Sequence, residues 1–529
     1  MKISNHFSVF PFVVLLFISF VINAQNSPPT FEYVIANWET GSQHLSIEYS
    51  FTDVENDDAE VILLISENSG ESYTVPTDQA TGDIGFPVEP NETRQILWPV
   101  DTFVNLFELK IRLVVDDRNV ADIQDIVDQV DSNRLRSYLE SIEGVRHFLG
   151  GTTKWEETKD FIQNEFEQKG LQVTRQEINR FSQIGHNIIG RKAGYAEPGK
   201  TYIIDGHFDT TGDSPGADDN GSAVAGVLEA LQVLSDFNFK NTINFIGFDF
   251  EESAGAIGTW GSFQYLENEI KSYETIEGVL NFEMIGYYTN KKHSQQVPAG
   301  FDLLYPAQYA SVESDSFRGN FITNAGDLES LELNDAFDSA AARYVPELKV
   351  ISLDLPNDGL IAPDFRRSDH ARFWDEDIPA LMLTDGADFR NPNYHTPQDV
   401  SDSLNFTFMA NVVKAAVATL AEIAGLQNSD VWEGEIWPTF IPSNNLDCTL
   451  QIFPSPVYSY LTFSLGDCFN QNFSCEIFAM DGKSVFFKEI DHSMNLNYTI
   501  SLKWIESGQY ILLLSDGKNC LSKKFVVKE

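Results

Sequence analysis

The spacing of apolar positions changes twice along the chain. Between residues 28 and 117 its period is two, in the runs HLSIEYSFTD, AEVILLISEN, RQILWPV and ELKIRLVVDD, separated by Gly, Pro, Asn and Asp turns. Such alternation buries one face of each short strand, and several strands of this kind predict a small all-β sandwich. From 118 to 427 a helical period enters. Trp155, Phe161, Ile162 and Phe166 share one helical face, and Val224, Val227, Leu228, Leu231 and Leu234 share a second. Met409, Val412, Val413, Ala416, Leu420 and Ile423 form a third. Between these faces lie the strand-like runs HNIIGRK, TYIID, TINFIGFDF, GVLNFEM, LKVISLDL and IPALMLT. Strand and helix in alternation predict an α/β domain: a mixed, mostly parallel sheet with helices on both faces, three layers in all. Sheets of this class bind ligands at the carboxyl ends of their strands. Residues 428–445, rich in Asn, Ser and Pro, read as a linker. Residues 446–529 read as a second β-rich unit.

Length and charge narrow the picture. The chain has 529 residues, 42% of them hydrophobic, which is more than one ordinary domain holds. Its formal charge of −44 repels nucleic acid and anionic lipid, so neither is an expected partner. The acid is uneven: residues 448–529 carry 8 acidic and 7 basic side chains, so the excess lies before them. The plain meaning of that excess is a solubilising surface. Lys2, the apolar run Phe7 to Ile22 and the small-residue site Ile22-Asn23-Ala24 predict a signal peptide over 1–24. The other reading, a membrane anchor, has a run of only about 16 residues interrupted by Pro11, short for a span. No later stretch reads as apolar enough to cross a membrane. Cys448, Cys468, Cys475 and Cys520 all lie in the tail, where an exported protein could use them as one or two disulfides. The acidic turn with Asp53, Glu55, Asp57 and Asp58 is either a calcium site or a solvated turn.

The candidate chemistry sits at strand ends. YIIDGHFDT supplies His207 and Asp209, PGADDNGSA supplies Asp218 and Asp219, and FDFEESAG supplies Glu251 and Glu252. LNFEMIGYY supplies Glu283, and NPNYHTPQD supplies Tyr394 and His395. Each pattern is weak alone, since adjacent glutamates are usually solvated. Together, two histidines and three carboxylates suit two zinc ions with nitrogen and oxygen ligands. Two dications, three carboxylates and one hydroxide sum to zero charge, which a partly buried site favours.

In this order and spacing the five motifs resemble metallopeptidase family 28, the family of di-zinc aminopeptidases, with glutamate carboxypeptidases and glutaminyl cyclases as relatives. The resemblance covers roughly 120–427 and includes RRSDHARFW and TDGADFRNPNYHTPQDVSDSLNF. It implies a zinc exopeptidase domain over 118–427, acting on peptides with two zinc ions. It implies His207, Asp219, Glu252, Glu283 and His395 as metal ligands, with Asp219 bridging both ions. It implies Glu251 as the base that takes the proton of the attacking water. Asp209 would orient His207, as carboxylates behind metal-bound imidazoles commonly do. Tyr394 resembles an oxyanion donor, or else is a packing aromatic. Asp218 reads as structural or as a support behind the metal ligands, and Asp369 and His370 either support the site or hold the sheet. An arginine of RRSDH could instead orient a substrate carboxylate.

Three departures bear on the reaction. Glu283 stands where many aminopeptidases of the family have Asp; carboxypeptidase and cyclase relatives have Glu there. The loop after Glu252 is one residue longer than usual, and Thr259 replaces a frequent Ser. An aminopeptidase is the expected activity; a carboxypeptidase, a single-zinc cyclase and a non-catalytic binding protein are the rivals. The tail, with Pro454, Pro456 and Val457, Asp481-Gly482-Lys483, Gly508-Gln509-Tyr510 and Lys523-Lys524, resembles the type IX secretion C-terminal sorting domain. That resemblance implies the secretion machinery as a partner and export to the medium or cell surface. The N-terminal sandwich, of fibronectin or immunoglobulin kind, carries no chemical constellation.

Overall fold

The structure is a computed structural model. It describes residues 26–39, 44–99, 109–252, 259–435, 450–454, 456–465, 472–479, 484–490, 497–503, 505–515 and 520–528. The predicted signal peptide, the loop after Glu252, Asp481-Gly482-Lys483, Cys448 and Cys468 lie outside these residues.

The central domain is built on eight strands: β1 (Gln172–Arg180), β2 (Gln183–Lys192), β3 (Glu197–His207), β4 (Asn241–Phe248), β5 (Thr275–Glu283), β6 (Ile322–Asp327), β7 (Val350–Leu355) and β8 (Ala380–Thr384). They form one sheet in the order β7-β6-β8-β5-β3-β4-β2-β1. The pairs β3–β4, β3–β5, β5–β8 and β6–β7 are parallel. The pairs β6–β8, β4–β2 and β1–β2 are antiparallel. Neighbouring residues of the central strands face opposite ways, as the pleat requires. Ile204, Phe245 and Leu280 enter a core with the long helices, while Ile203, Ile246 and Val279 enter another with Tyr265, Phe373 and Trp374. The sheet is therefore covered on both faces, an α/β/α arrangement.

Five long helices matter for the site: α1 (Ser132–Ile142), α2 (Thr152–Gln168), α3 (Ala223–Leu234), α4 (Leu331–Tyr344) and α5 (Phe406–Ile423). The side chain of Asn405 caps α5 by accepting from the N–H groups of Thr407 and Phe408. By length and apolarity α5 could cross a membrane, contrary to the expectation that no later stretch would qualify. It is 72% buried inside the protein, so its hydrophobicity is that of a core helix packed against α3 and α4.

The segment expected as a linker is not one over Ser429–Glu435. Those residues form a strand paired antiparallel with Lys110–Asp116, in register from Ser429↔Asp116 to Glu435↔Lys110. The N-terminal unit thus has two four-stranded sheets, one of them completed by chain from beyond the central domain. Leu45, Ile47, Val61, Leu63, Ile96, Ile111 and Leu113 fill the space between the sheets. Its acidic turn is closed by the Asp53 carboxylate accepting from the Asp57 N–H at 2.8 Å. Among the described residues these acids form no metal-sized group. The C-terminal unit has a three-stranded and a four-stranded antiparallel sheet around a core that includes Cys475.

Candidate active site and metal centre

Strands β3, β4, β5 and β8 run parallel, so their carboxyl ends share one rim. His207 is the last residue of β3 and Glu283 the last of β5. Glu251 and Glu252 follow β4 after a turn at Phe250, whose φ is +60°. Met284 (φ +53°) and His395 (φ +56°) share this uncommon conformation. Left-handed non-glycine residues cost free energy and cluster where surrounding structure imposes them. The turn at Phe250 lets two adjacent glutamates serve one site.

Two donor groups meet at this rim and share one residue. His207, Asp219 and Glu283 form the first, with His207 Nε2 at 3.6 Å from Asp219 Oδ1 and 3.4 Å from Glu283 Oε2. Asp219, Glu252 and His395 form the second, with His395 Nε2 at 3.0 Å from Asp219 Oδ2 and 2.9 Å from Glu252 Oε1. The two oxygens of Asp219 thus face different groups. Within each group the donor atoms lie within 4.8 Å of one another. Imidazole and carboxylate donors at this spacing fit zinc, which takes nitrogen and oxygen ligands at about 2.0–2.2 Å. All five residues expected as ligands are brought together.

Glu251 stands beside them, its Oε2 3.9 Å from His207 Nε2. Asp209 ties the cluster together from behind. Its Oδ1 is 3.5 Å from His207 Nδ1, and its two oxygens accept from the backbone N–H of Glu251 and of Glu252, both at 3.0 Å. Tyr394 stacks on His395 with ring centroids 3.7 Å apart. Its hydroxyl accepts from Arg367 Nη2 at 3.0 Å, which leaves its own proton free to be donated.

The electrostatics follow from crowding acids in a buried place. Burial pushes the Glu251 carboxyl well above its usual range, against the pull of His207. Burial, and next the charge of Asp219, lift Glu252 to about 8. Burial alone would lower His395, but its hydrogen bonds to Asp219 and Glu252 outweigh it and raise the imidazole to about 10. A protonated His395 therefore supplies positive charge that the carboxylates demand, and a bound cation would replace that proton.

Several supporting residues carry no signal of their own in the sequence. Asp399 accepts from the N–H groups of Asp218 and Asp219, fixing the loop that presents Asp219. Ser368 donates to Glu283 Oε2 at 2.7 Å, and Asn220 Nδ2 donates to the same oxygen at 3.2 Å. Arg146 is wholly buried and donates to the carbonyls of Ile142, Gly144, Phe208, Pro215 and Gly216. It joins the loop after His207 to the loop before Asp219. Asp218 turns away, accepting from the Gly286 N–H and Asn391. Asp369 accepts from Ser262, and His370 is buried between Asn281 and the Phe365 carbonyl. Burial pushes His370 down to about 3, so it is neutral.

An α/β sheet with histidine and carboxylate donors gathered at the carboxyl ends of its strands defines a class of metal-dependent hydrolases. Comparison with known proteins gives the family. Residues 187–420 match the model of Peptidase family M28, and residues 451–528 match the secretion system C-terminal sorting domain. The Escherichia coli protein YfbL is 32% identical over 274 residues, which cover 49% of this chain and 78% of YfbL. A "Probable zinc metalloprotease" of Pyrenophora tritici-repentis is 27% identical over 258 residues, 45% of this chain and 51% of that protein. A "Probable leucine aminopeptidase" of Trichophyton verrucosum is 27% identical over 275 residues, 49% of this chain and 61% of that protein. The match therefore spans about half to three-fifths of these fungal relatives' length. The chain belongs to peptidase family 28, and its sorting domain marks it for export to the medium or cell surface.

Proposed function

We propose that the protein is an exported di-zinc aminopeptidase. The observation that carries this reading is the pair of donor groups sharing Asp219, with Glu251 beside them. His207, Asp219 and Glu283 would hold one ion, and Asp219, Glu252 and His395 the other. When bound, zinc supplies a polarised scissile carbonyl and a water acidified toward neutral pH. Glu251 takes the proton of the attacking water and hands it to the leaving amine as the C–N bond breaks. Tyr394, held by Arg367, donates to the carbonyl oxygen as it gains charge. Asp209 fixes the His207 ring, and Ser368 and Asn220 fix the Glu283 carboxylate.

An apolar pocket opens beside this centre. Val297, Phe301, Phe321, Ile351, Met382 and Phe389 line it, with Glu283 and Tyr394 at its edge. It suits an apolar side chain on the terminal residue, while the surrounding carboxylates suit the free α-ammonium group. The relative named as a leucine aminopeptidase supports the same choice. Arg367 also lines this pocket and favours a second reading, a carboxypeptidase that binds a substrate carboxylate. Its guanidinium is already engaged by Asp388 and Tyr394, which weakens that reading.

A panel of aminoacyl-anilides, N-blocked peptides and N-terminal Gln peptides tests the proposal. Turnover of anilides with apolar residues is expected, with little on blocked peptides. Activity confined to blocked peptides, or to cyclisation of N-terminal Gln, would reject it.

A further inference from the structure

A second group of carboxylates lies at the other end of the sheet. Strands β6 and β7 run opposite to β8, so their carboxyl ends point away from the rim that bears His207 and Glu283. Asp327 closes β6, Glu329 follows it in the turn into α4, and Asp358 lies in the turn after β7. One oxygen from each lies within 4.8 Å of the others. That is the span across a cation whose oxygen ligands stand at about 2.4 Å.

Clustered surface acids alone would mean little. Asp327, however, is wholly buried. Its Oδ1 accepts from the N–H of Ser330 at 3.0 Å and from the Ser330 hydroxyl. Its Oδ2 is buried with no hydrogen-bond partner. A buried carboxylate oxygen without a donor is costly, because it has lost water and gained nothing. Among the described residues no lysine or arginine pairs with these three carboxylates. The nearby Arg366 donates to the Asp358 carbonyl and pairs with Asp375 instead. Burial, helped by the charges of Glu329 and Asp358, lifts the Asp327 carboxyl to about 6.

We infer that Asp327, Glu329 and Asp358 form a calcium site, separate from the catalytic centre. The donor set is oxygen only, which selects a hard cation over zinc. Glu329 is exposed and leaves room for water to complete the shell. The ion staples the turn entering α4 to the turn after β7. From Asp358 the chain runs through Arg366, which bonds back to the Asp358 carbonyl, to Arg367 and Ser368 at the active site. Calcium would therefore steady the root of a segment that touches Tyr394 and Glu283. The inference does not depend on which bond the enzyme cleaves.

Calcium titration of the zinc-loaded full chain, followed by calorimetry, tests it. One saturable site is expected, with Kd of about 0.1–1 mM, the range of extracellular oxygen-ligand sites. Glu329→Gln alters an exposed residue, and Asp358→Asn keeps a residue type that tolerates the observed φ of +49°. Each should weaken that site at least about tenfold without loss of fold. Terbium gives a positional readout. A Cβ added at Gly359 would lie 3.1 Å from the Trp374 ring, so an ion beside Asp358 should be sensitised by tryptophan excitation. That emission should be displaced by calcium and fall in both variants. No saturable calcium site in the wild type below about 10 mM would overturn the inference. So would wild-type affinity in both variants.

Discussion

Replacing Glu251 with Gln separates proton transfer from metal binding. The change removes one charge and keeps the shape. Glu251 belongs to neither donor group, and its nearest approach to His207 Nε2 is 3.9 Å. Its backbone N–H, held by Asp209 at 3.0 Å, is unaffected by the substitution. Both donor groups stay intact, so metal should remain bound, although losing one charge about 4 Å from a dication weakens its affinity by about 2 kcal/mol, roughly thirtyfold, at the dielectric of water. Turnover should fall far more. General base catalysis contributes about 10²–10⁴ in rate, which at 1.36 kcal/mol per decade is about 3–5 kcal/mol of barrier. The assay is steady-state hydrolysis of an aminoacyl-anilide beside metal analysis of the same sample. A loss in kcat with KM nearly constant is expected, because the proton moves only in the transition state. Turnover above one-tenth of wild type, with metal retained, would remove Glu251 from the mechanism.

Three further outcomes follow from the geometry. Asp209→Asn should lower zinc affinity about 10–100-fold, measured by chelator competition, because the residue behind His207 sets its ring orientation. Zinc affinity should rise with pH between about 6 and 9, by about tenfold per unit for each proton released on binding. The sign follows from His395: its metal-free imidazole is raised to about 10, so zinc must displace a proton throughout that window. Arg146→Met should destabilise the protein by about 3–5 kcal/mol in denaturant unfolding, since five buried carbonyls lose their donor. Arg146→Lys should recover part of that loss.

The sheet was legible where its strands are buried on both sides. Asn241–Phe248 and Thr275–Glu283 show as apolar runs because nearly every position faces a core. Ile322–Asp327 carries little strand signal, since half of ITNAGD is polar although every residue of it is buried. Ser429–Glu435 lacks that signal for another reason. Its composition is that of a linker, and its strand character comes from pairing with chain more than 300 residues earlier, which no local window reports. The donors at the rim were legible because acids and histidines are out of place at the ends of core strands. Arg146 and Ser368 were not, because their importance lies in partners distant along the chain.

Titration of the metal-free protein with zinc, counting tightly bound equivalents per chain, tests the central claim most directly. Two equivalents are predicted, with activity appearing as they fill and with Asp219→Asn weakening both. A single tight equivalent supporting full activity, or two that survive loss of Asp219 unchanged, would contradict the account.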